Sequence, residues 1–388
     1  MTNMFDYLTW RGDLTFSQVR PNPVDALIFS TLAYVFYGDK AKAEPGQAMT
    51  LGECAAEFFT LENPENRVRV KKDMDLLRAA AATARFGQTV KKDMDLLRAA
   101  AATTRFGQTR LCMYENRFLP EQETQFAAMT FLLDDGTMFV VYRGTDNSLV
   151  GWKEDFNMTF QQSIPAQRLA QEYIRRAAQS AEAPIRVAGH SKGGNLAVFA
   201  AARCSPQVRA RILEVYNNDG PGFTKYMMGD PGYLEVVPRI HTFVPQSSVI
   251  GMLLEHEEPY QVLRSSSVGI MQHDPYSWEV VGPDFVHVEG ITGSSQFMDA
   301  TIKNWFASMT NQERNQLVEE MYALLSTGTA EHASDVFQPK NILTYAKTLS
   351  GDADMRHLLS EEFQGLITAA RKAYTTMSSK SLPAGKEK

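Results

Sequence analysis

The hexapeptide Gly189-His190-Ser191-Lys192-Gly193-Gly194 stands between an apolar run, Ile185-Arg186-Val187-Ala188, and a small-residue stretch, Asn195-Leu196-Ala197-Val198-Phe199-Ala200-Ala201-Ala202. That order predicts strand, sharp turn and helix, with Gly189-x-Ser191-x-Gly193 at the turn. A serine pressed onto such a turn needs glycines two residues to either side, because a Cβ there would collide with the flanking backbone. Its hydroxyl then lies beside the N–H groups that open a helix, where developing negative charge is stabilised. A chance Gly-x-Ser-x-Gly in a loop is the competing explanation, and the strand before and the Ala-rich helix behind argue against it. Ser191 is the expected nucleophile.

A serine hydroxyl needs a general base, most often histidine. In the α/β-hydrolase arrangement that base follows the serine in the chain. Seven histidines are present. His190 lies inside the turn with its side chain expected to diverge from Ser191, His241 lies within a strand, and His332 and His357 fall in a helical tail. His287 alternates in a strand-like stretch over 284–289. His273, in the loop Met271-Gln272-His273-Asp274-Pro275-Tyr276-Ser277-Trp278 with its proline-fixed turn, is the expected base. His256, in Glu255-His256-Glu257-Glu258, reads as a charged surface turn and is the second candidate. Two N–H donors must face the oxyanion. One is expected from the backbone of Lys192. The other comes from the loop that ends Val140-Val141-Tyr142-Arg143-Gly144-Thr145-Asp146, where Gly144 permits close approach and Thr145 offers an N–H and a hydroxyl. A plain strand-end turn is the alternative for that loop.

The elements that position these groups alternate. Residues 125–133 and 137–143 read as strands flanking Asp134-Asp135-Gly136, a hairpin signal. A helix over 166–181 leads into the serine strand, and further strands are expected at 212–217 and 239–244. This order predicts an α/β fold with a mainly parallel sheet, flanking helices and antiparallel strands at one side. Helices over 294–308, 311–326 and 361–377 make a helical C-terminal region that packs on or caps the same domain. Expected boundaries are 1–290 for the sheet domain, 291–378 for the helices and 379–388 for a disordered polar tail.

Residues 70–89 recur at 90–109 with one change, Ala84 against Thr104. Two copies are too few for a solenoid, so this is a local tandem duplication. In the first copy Val70, Met74, Leu77 and Ala81 form a helical stripe, and Gly87 sits where the helix should end. A shift of 20 residues turns the stripe by about 200°, so one straight helix would face the second copy the wrong way. The duplicated segment is therefore expected not to form one continuous helix, with Gly87 and Thr89 breaking it. One copy packs, and the other is available for homo-oligomer contact.

The 388 residues are 44% hydrophobic and 22% charged, enough for a substantial core. A net charge of −6 gives no general attraction to nucleic acid, and Arg67-Val68-Arg69-Val70-Lys71-Lys72 is too short a basic run to override it. Three scattered cysteines, Cys54, Cys112 and Cys204, lack metal-ligand spacing and suit a reducing compartment. The N-terminus lacks a secretory pattern and no apolar run spans a membrane, so a cytoplasmic location is expected. No nucleotide, flavin or metal motif is present, and no cofactor is expected.

Tyr142-Arg143-Gly144-Thr145-Asp146, then Gly151-Trp152-Lys153-Glu154-Asp155-Phe156, then the Gly-His-Ser-Lys-Gly-Gly turn resemble the class-three (fungal-type) triacylglycerol lipases over roughly residues 125–280. The stretches Phe5-Asp6-Tyr7-Leu8-Thr9-Trp10-Arg11-Gly12-Asp13-Leu14-Thr15-Phe16 and Val244-Pro245-Gln246-Ser247-Ser248 are similar to a bacterial family of lipase-like α/β-hydrolases of unassigned function. The resemblance implies Ser191 as nucleophile, His273 as base, and Thr145 and Lys192 as oxyanion donors. It implies structural roles for Trp152 and Asp155, with Asp155 pairing to Arg143.

Two departures matter. The lipases carry their triad acid after the second strand beyond the serine, where this chain reads Gln246-Ser247-Ser248-Val249-Ile250. Lys192 also replaces the usual Leu, and its side chain is expected in solvent with only its N–H used. The acid is therefore expected at Asp219, which closes the run Leu213-Glu214-Val215-Tyr216-Asn217-Asn218 and emerges at the same sheet edge as Ser191. An Asp that only caps the Gly220-Pro221-Gly222 turn is the alternative. The functional expectation is a serine hydrolase of acyl or lipid-type carboxylic esters, acting on a small-molecule or lipid substrate. A hydrolase-fold protein that has lost turnover and works by binding is the alternative, motivated by the missing carboxylate.

Overall fold

The computed structural model describes residues 2–68, 84–146, 148–327 and 339–380. Its first helices are α1 (Met4–Arg11), α2 (Pro23–Leu32), α3 (Leu51–Thr60) and α4 (Ala84–Ala101). Asn22 caps α2 by accepting from the Val24 and Asp25 N–H groups, while Asp25 returns a bond to the Asn22 N–H. The sheet runs β1 (Met49–Thr50), β2 (Arg110–Leu119), β3 (Thr124–Leu132), β4 (Met138–Tyr142), β5 (Ile185–His190), β6 (Ile212–Asn218), β7 (Ile240–Pro245) and β8 (Tyr260–Leu263).

These eight strands lie side by side in chain order. The first three pairings are antiparallel and the last four, from β4 to β8, are parallel. The β3–β4 hairpin closes where the turn residues predict, with Gly136 at φ +80° and the Asp135 carboxylate accepting from the Thr137 N–H at 2.9 Å. Parallel strands need crossovers, supplied here by α5 (Leu149–Asn157) and α6 (Pro165–Ser180) before β5 and by α7 (Lys192–Arg203) after it. β5 is buried along its whole length and feeds two cores. Val187 packs with Val140, Val215 and the α6 and α7 side, whereas Ala188 packs with Val141, Tyr216 and the α2 and α4 side. That alternation is the period of two of a strand covered on both faces.

Within the duplicated segment the expected break at Gly87 and Thr89 is absent. α4 runs through Gly87 and Thr89 without a break, and the chain leaves the helix only after Ala101. The second copy of the same residues behaves differently. Thr103 caps a short turn, Thr104–Gly107, and Thr109 leads directly into β2. Tertiary contacts decide between the two conformations. Arg105 is fully buried and pairs with Asp25 at 2.6 Å, its Nη1 donating to the carbonyls of Leu14, Thr15 and Val19. Phe106 packs on Phe16 and Phe29, and a Cβ on Gly107 would overlap the Ala101 carbonyl. The stripe Val90, Leu97 and Ala100 is buried, so the second copy fills the core. The predicted stripe of the first copy, Val70 to Ala81, lies outside the described residues.

Excising residues 70–89 or residues 90–109 leaves chains that differ at one position, Ala84 in place of Thr104. Thr104 is the first helical residue after the Thr103 cap, where Ala is tolerated. Both deletion variants are expected to fold cooperatively, with Tm values within about 4 °C of each other, the shift of roughly 1 kcal/mol. Thermal unfolding followed by circular dichroism checks this; an unfolded product from either excision counts against a single slot that takes either copy.

The C-terminal helices are α8 (Gly293–Ala307), α9 (Asn311–Ser326), α10 (Pro339–Gly351) and α11 (Ala353–Lys380). α10 was not foreseen, and α11 extends beyond the predicted 361–377. α9 packs on helix α5 rather than on the sheet, joining Val318, Met321 and Tyr322 to Leu149, Trp152 and Phe156, with Lys153 Nζ 2.8 Å from Glu319. Of the predicted tail, Ser379 and Lys380 end α11, and 381–388 lie outside the described residues. Among the described residues no helix is long and apolar enough to cross a membrane, and no group of three His, Cys, Asp or Glu could hold a metal ion.

Candidate active site

β5 ends at His190 and α7 begins at Lys192, so Ser191 alone makes the turn. Its φ of 59° and ψ of −133° are strained for a residue with a Cβ. Packing imposes that strain. A Cβ on Gly189 would overlap the Gly193 backbone, one on Gly193 would overlap the Tyr142 carbonyl, and one on Gly144 would overlap the Tyr34 hydroxyl and the His190 carbonyl. The Ser191 N–H is held by the Asn218 carbonyl of β6 at 2.9 Å.

Ser191 opens on a cleft of about 240 Å³ lined also by Tyr34, Thr89, Thr145, His190, Ile270 and His273. The structure brings His273 and Asp219 together, with Nδ1 2.6 Å from Asp219 Oδ2. Asp219 follows β6, is fully buried and has φ +52°, a conformation Asp adopts more readily than most residues. Its N–H donates to the Phe243 carbonyl of β7 at 2.8 Å, which anchors it to the sheet edge. With the Nδ1 proton facing the carboxylate, the other ring nitrogen, Nε2, is left as an acceptor.

The loop that carries His273 is held from several sides. Trp278 Nε1 donates to the Gln272 carbonyl at 2.8 Å, and the Gln272 side chain accepts from the Ser247 N–H at 2.8 Å. Lys92 of α4 lies 3.2 Å from Asp274, and the Tyr276 hydroxyl donates to Asp93 at 2.7 Å. His190 does not diverge from the site. Its ring lies 4.6 Å from that of His273, with Nε2 2.9 Å from the His273 carbonyl and Nδ1 3.2 Å from the Tyr34 hydroxyl. No sequence signal marks Tyr34, which comes from the end of α2, some 156 positions from His190.

Thr145 lines the cleft, and its hydroxyl donates to Asp155 at 2.6 Å. Asp155 does not pair with Arg143, whose Nη2 instead lies 3.5 Å from Asp146. Nor is the Lys192 side chain in solvent. It is buried, with Nζ 2.8 Å from Glu154, 3.6 Å from Asp155 and 3.1 Å from the Gln125 side-chain oxygen. A lysine beside an elbow serine reads as exposed only until Glu154, 38 positions away, is placed opposite it. The Lys192 N–H remains the first donor of α7 beside Ser191.

One buried lysine faces two carboxylates. Burial opposes the Lys192 charge, but Glu154 and Asp155 outweigh it and hold the ammonium above its usual range. Burial pushes Asp155 up to about 6, against the pull of Lys192 and Thr145. The folded state therefore binds the Asp155 proton more tightly than the unfolded chain does, and this group's contribution to stability falls as pH rises from about 4 to 6. Lys192→Met is expected to cost about 3–5 kcal/mol at pH 7, because it strands the buried Glu154 carboxylate and leaves the part-exposed Asp155 without its cation. The loss should be smaller at pH 5, where Asp155 is protonated. Urea unfolding at the two pH values measures both, and an equal loss at each would exclude the coupling.

Residues 100–323 match the Mbeg1-like family model, more than half of the chain. The chain belongs to the Mbeg1-like family. This is a lipase-like family of the class-three type, and the matched span holds Ser191, His273, Asp219, Thr145 and Lys192. No curated protein matches the chain. In this Mbeg1-like chain residues 246–250, directly after β7, carry no acid, and Ser248 there donates its hydroxyl to Asp219 Oδ1 at 2.5 Å. His256 is likewise not a surface turn residue; it is buried against Glu258. Its acidic neighbours in sequence hid it.

Proposed function

We propose that the chain is a serine hydrolase of carboxylic esters, built on an α/β-hydrolase fold and acting through an acyl-enzyme on Ser191. Ser191 Oγ attacks the ester carbonyl carbon while its proton passes to His273 Nε2. The N–H groups of Lys192 and Thr145 receive the oxyanion, and the α7 N-terminus adds its dipole. Collapse breaks the ester C–O bond and His273 gives the proton to the leaving alkoxide; water then attacks the acyl-enzyme as His273 takes its proton, the acyl–Ser191 bond breaks, and His273 returns the proton to Ser191 Oγ as the acid leaves. Asp219 keeps the Nδ1 proton in place and stabilises the imidazolium formed at each step.

The observation that carries this reading is the 2.6 Å bond between His273 and buried Asp219, on a histidine that shares a cleft with an elbow serine. It supplies the carboxylate whose absence after β7 favours a binding-only protein. The family's lipase-like character favours acyl or lipid esters as substrates. A fluorophosphonate probe, which reacts only with an activated serine, tests the reading directly. Expected is a single adduct mapped to Ser191 by peptide mass spectrometry. No adduct on the folded protein would argue for binding without turnover.

A further inference from the structure

Behind the triad acid lies a second histidine–carboxylate pair that the mechanism above does not use. Glu258 is buried and fully engaged. Its Oε1 accepts from Thr242 at 2.7 Å and faces His256 Nδ1 at 3.0 Å, and its Oε2 accepts from the Tyr233 hydroxyl at 2.6 Å. Burial would raise the Glu258 carboxyl, but His256, Thr242 and Tyr233 together bring it below its ordinary value. The other ring nitrogen of His256 lies 2.8 Å from the Gly251 carbonyl. The Gly251 carbonyl can only accept, so Nε2 carries the proton of that bond. Asp299 of α8, paired with Lys303 at 3.2 Å, is a charged group that acts on His256 and Glu255 from the C-terminal helices.

The Gly251 end of that contact leads to the acid. The Gly251 N–H donates to Ser248 Oγ at 3.0 Å, and Ser248 Oγ donates to Asp219 Oδ1 at 2.5 Å. A Cβ on Gly251 would overlap Asp219 Oδ1, so the backbone lies directly against the carboxylate. The Ser248 N–H is tied to the Pro245 carbonyl and its own carbonyl accepts from Ser295 of α8. Asp219 thus has one oxygen committed to Ser248 and the other to His273.

We propose that His256 and Glu258 are positioning residues for the catalytic acid. Resting on the hydrolase reading of the site, the geometry assigns them the task of fixing the Gly251 carbonyl. That in turn sets the Ser248 hydroxyl and the orientation of the Asp219 carboxylate toward His273. The turn between β7 and β8, whose first residues, 246–250, carry no acid, serves as the clamp on an acid that follows β6.

Two double variants test this without stranding a buried charge. H256M/E258M fills the space with no donor, and H256Q/E258Q keeps an N–H for the Gly251 carbonyl. For the Met pair we expect kcat on p-nitrophenyl esters to fall about tenfold to a hundredfold with KM little changed, less than the loss on removing the acid itself. Its low-field proton resonance from the His273–Asp219 bond should broaden or disappear. The Gln pair should restore most of the kcat and the resonance, at whatever Tm each variant shows. Wild-type kcat and resonance in the folded Met pair, or a Gln pair as impaired as the Met pair, would overturn the assignment. If the wild-type protein neither turns over esters nor takes the fluorophosphonate label, the hydrolase reading fails. The resonance comparison still decides whether the pair orients Asp219.

Discussion

Ser191→Ala is expected to lower kcat for p-nitrophenyl acetate by about 10⁶-fold, to the residue left by an oxyanion site and binding alone. The alanine removes the only atom that can become acylated, and His273 then has no hydroxyl proton to take. The fold should survive, because Ser191 is held through its backbone N–H and the glycine contacts around it rather than through its side chain. Burst kinetics and fluorophosphonate labelling should vanish together while Tm stays near the wild-type value. Turnover by the alanine variant at the wild-type rate would remove Ser191 from the mechanism.

Asp219→Asn is expected to cost about 10⁴-fold in kcat with KM nearly unchanged. An amide can present its N–H₂ to His273 Nδ1 and so stabilise the tautomer whose Nε2 already carries a proton, which cannot accept one from Ser191. The Ser248 hydroxyl, 2.5 Å from Oδ1, would then hold the amide oxygen and favour that wrong orientation. Steady-state kinetics on the purified variant, with a Tm to show that it is folded, measures the effect. A loss of less than tenfold would reduce Asp219 to a cap on the Gly220 turn.

The residues read correctly from sequence are those whose surroundings are local. Gly189, Ser191 and Gly193 sit within one turn, so steric exclusion between neighbours in the chain is enough to predict strand, elbow and helix. The hairpin at Gly136 and the helix over 165–180 follow from local rules in the same way. Asp219 could be placed beside the serine because consecutive parallel strands deliver their ends to one sheet edge. Lys192 and His256 could not be placed, since charged residues look solvated until the fold brings a partner. Glu154 and the Gly251 carbonyl are those partners, and only the packing of α5 and of the turn after β7 reveals them.

The duplication separates the two kinds of information most cleanly. Arg85-Phe86-Gly87-Gln88-Thr89 and Arg105-Phe106-Gly107-Gln108-Thr109 are identical, yet one is helix and the other is a short turn entering a strand. By itself the sequence determined an elbow serine, an alternating α/β order and the candidate partners His273 and Asp219. The tertiary structure alone decided which copy fills the core, where Lys192 finds its counter-charge and which residue after β7, Ser248, meets the Asp219 carboxylate. Local sterics are written into neighbouring residues, whereas desolvation and hydrogen-bond satisfaction depend on groups that only folding brings within about 3 Å.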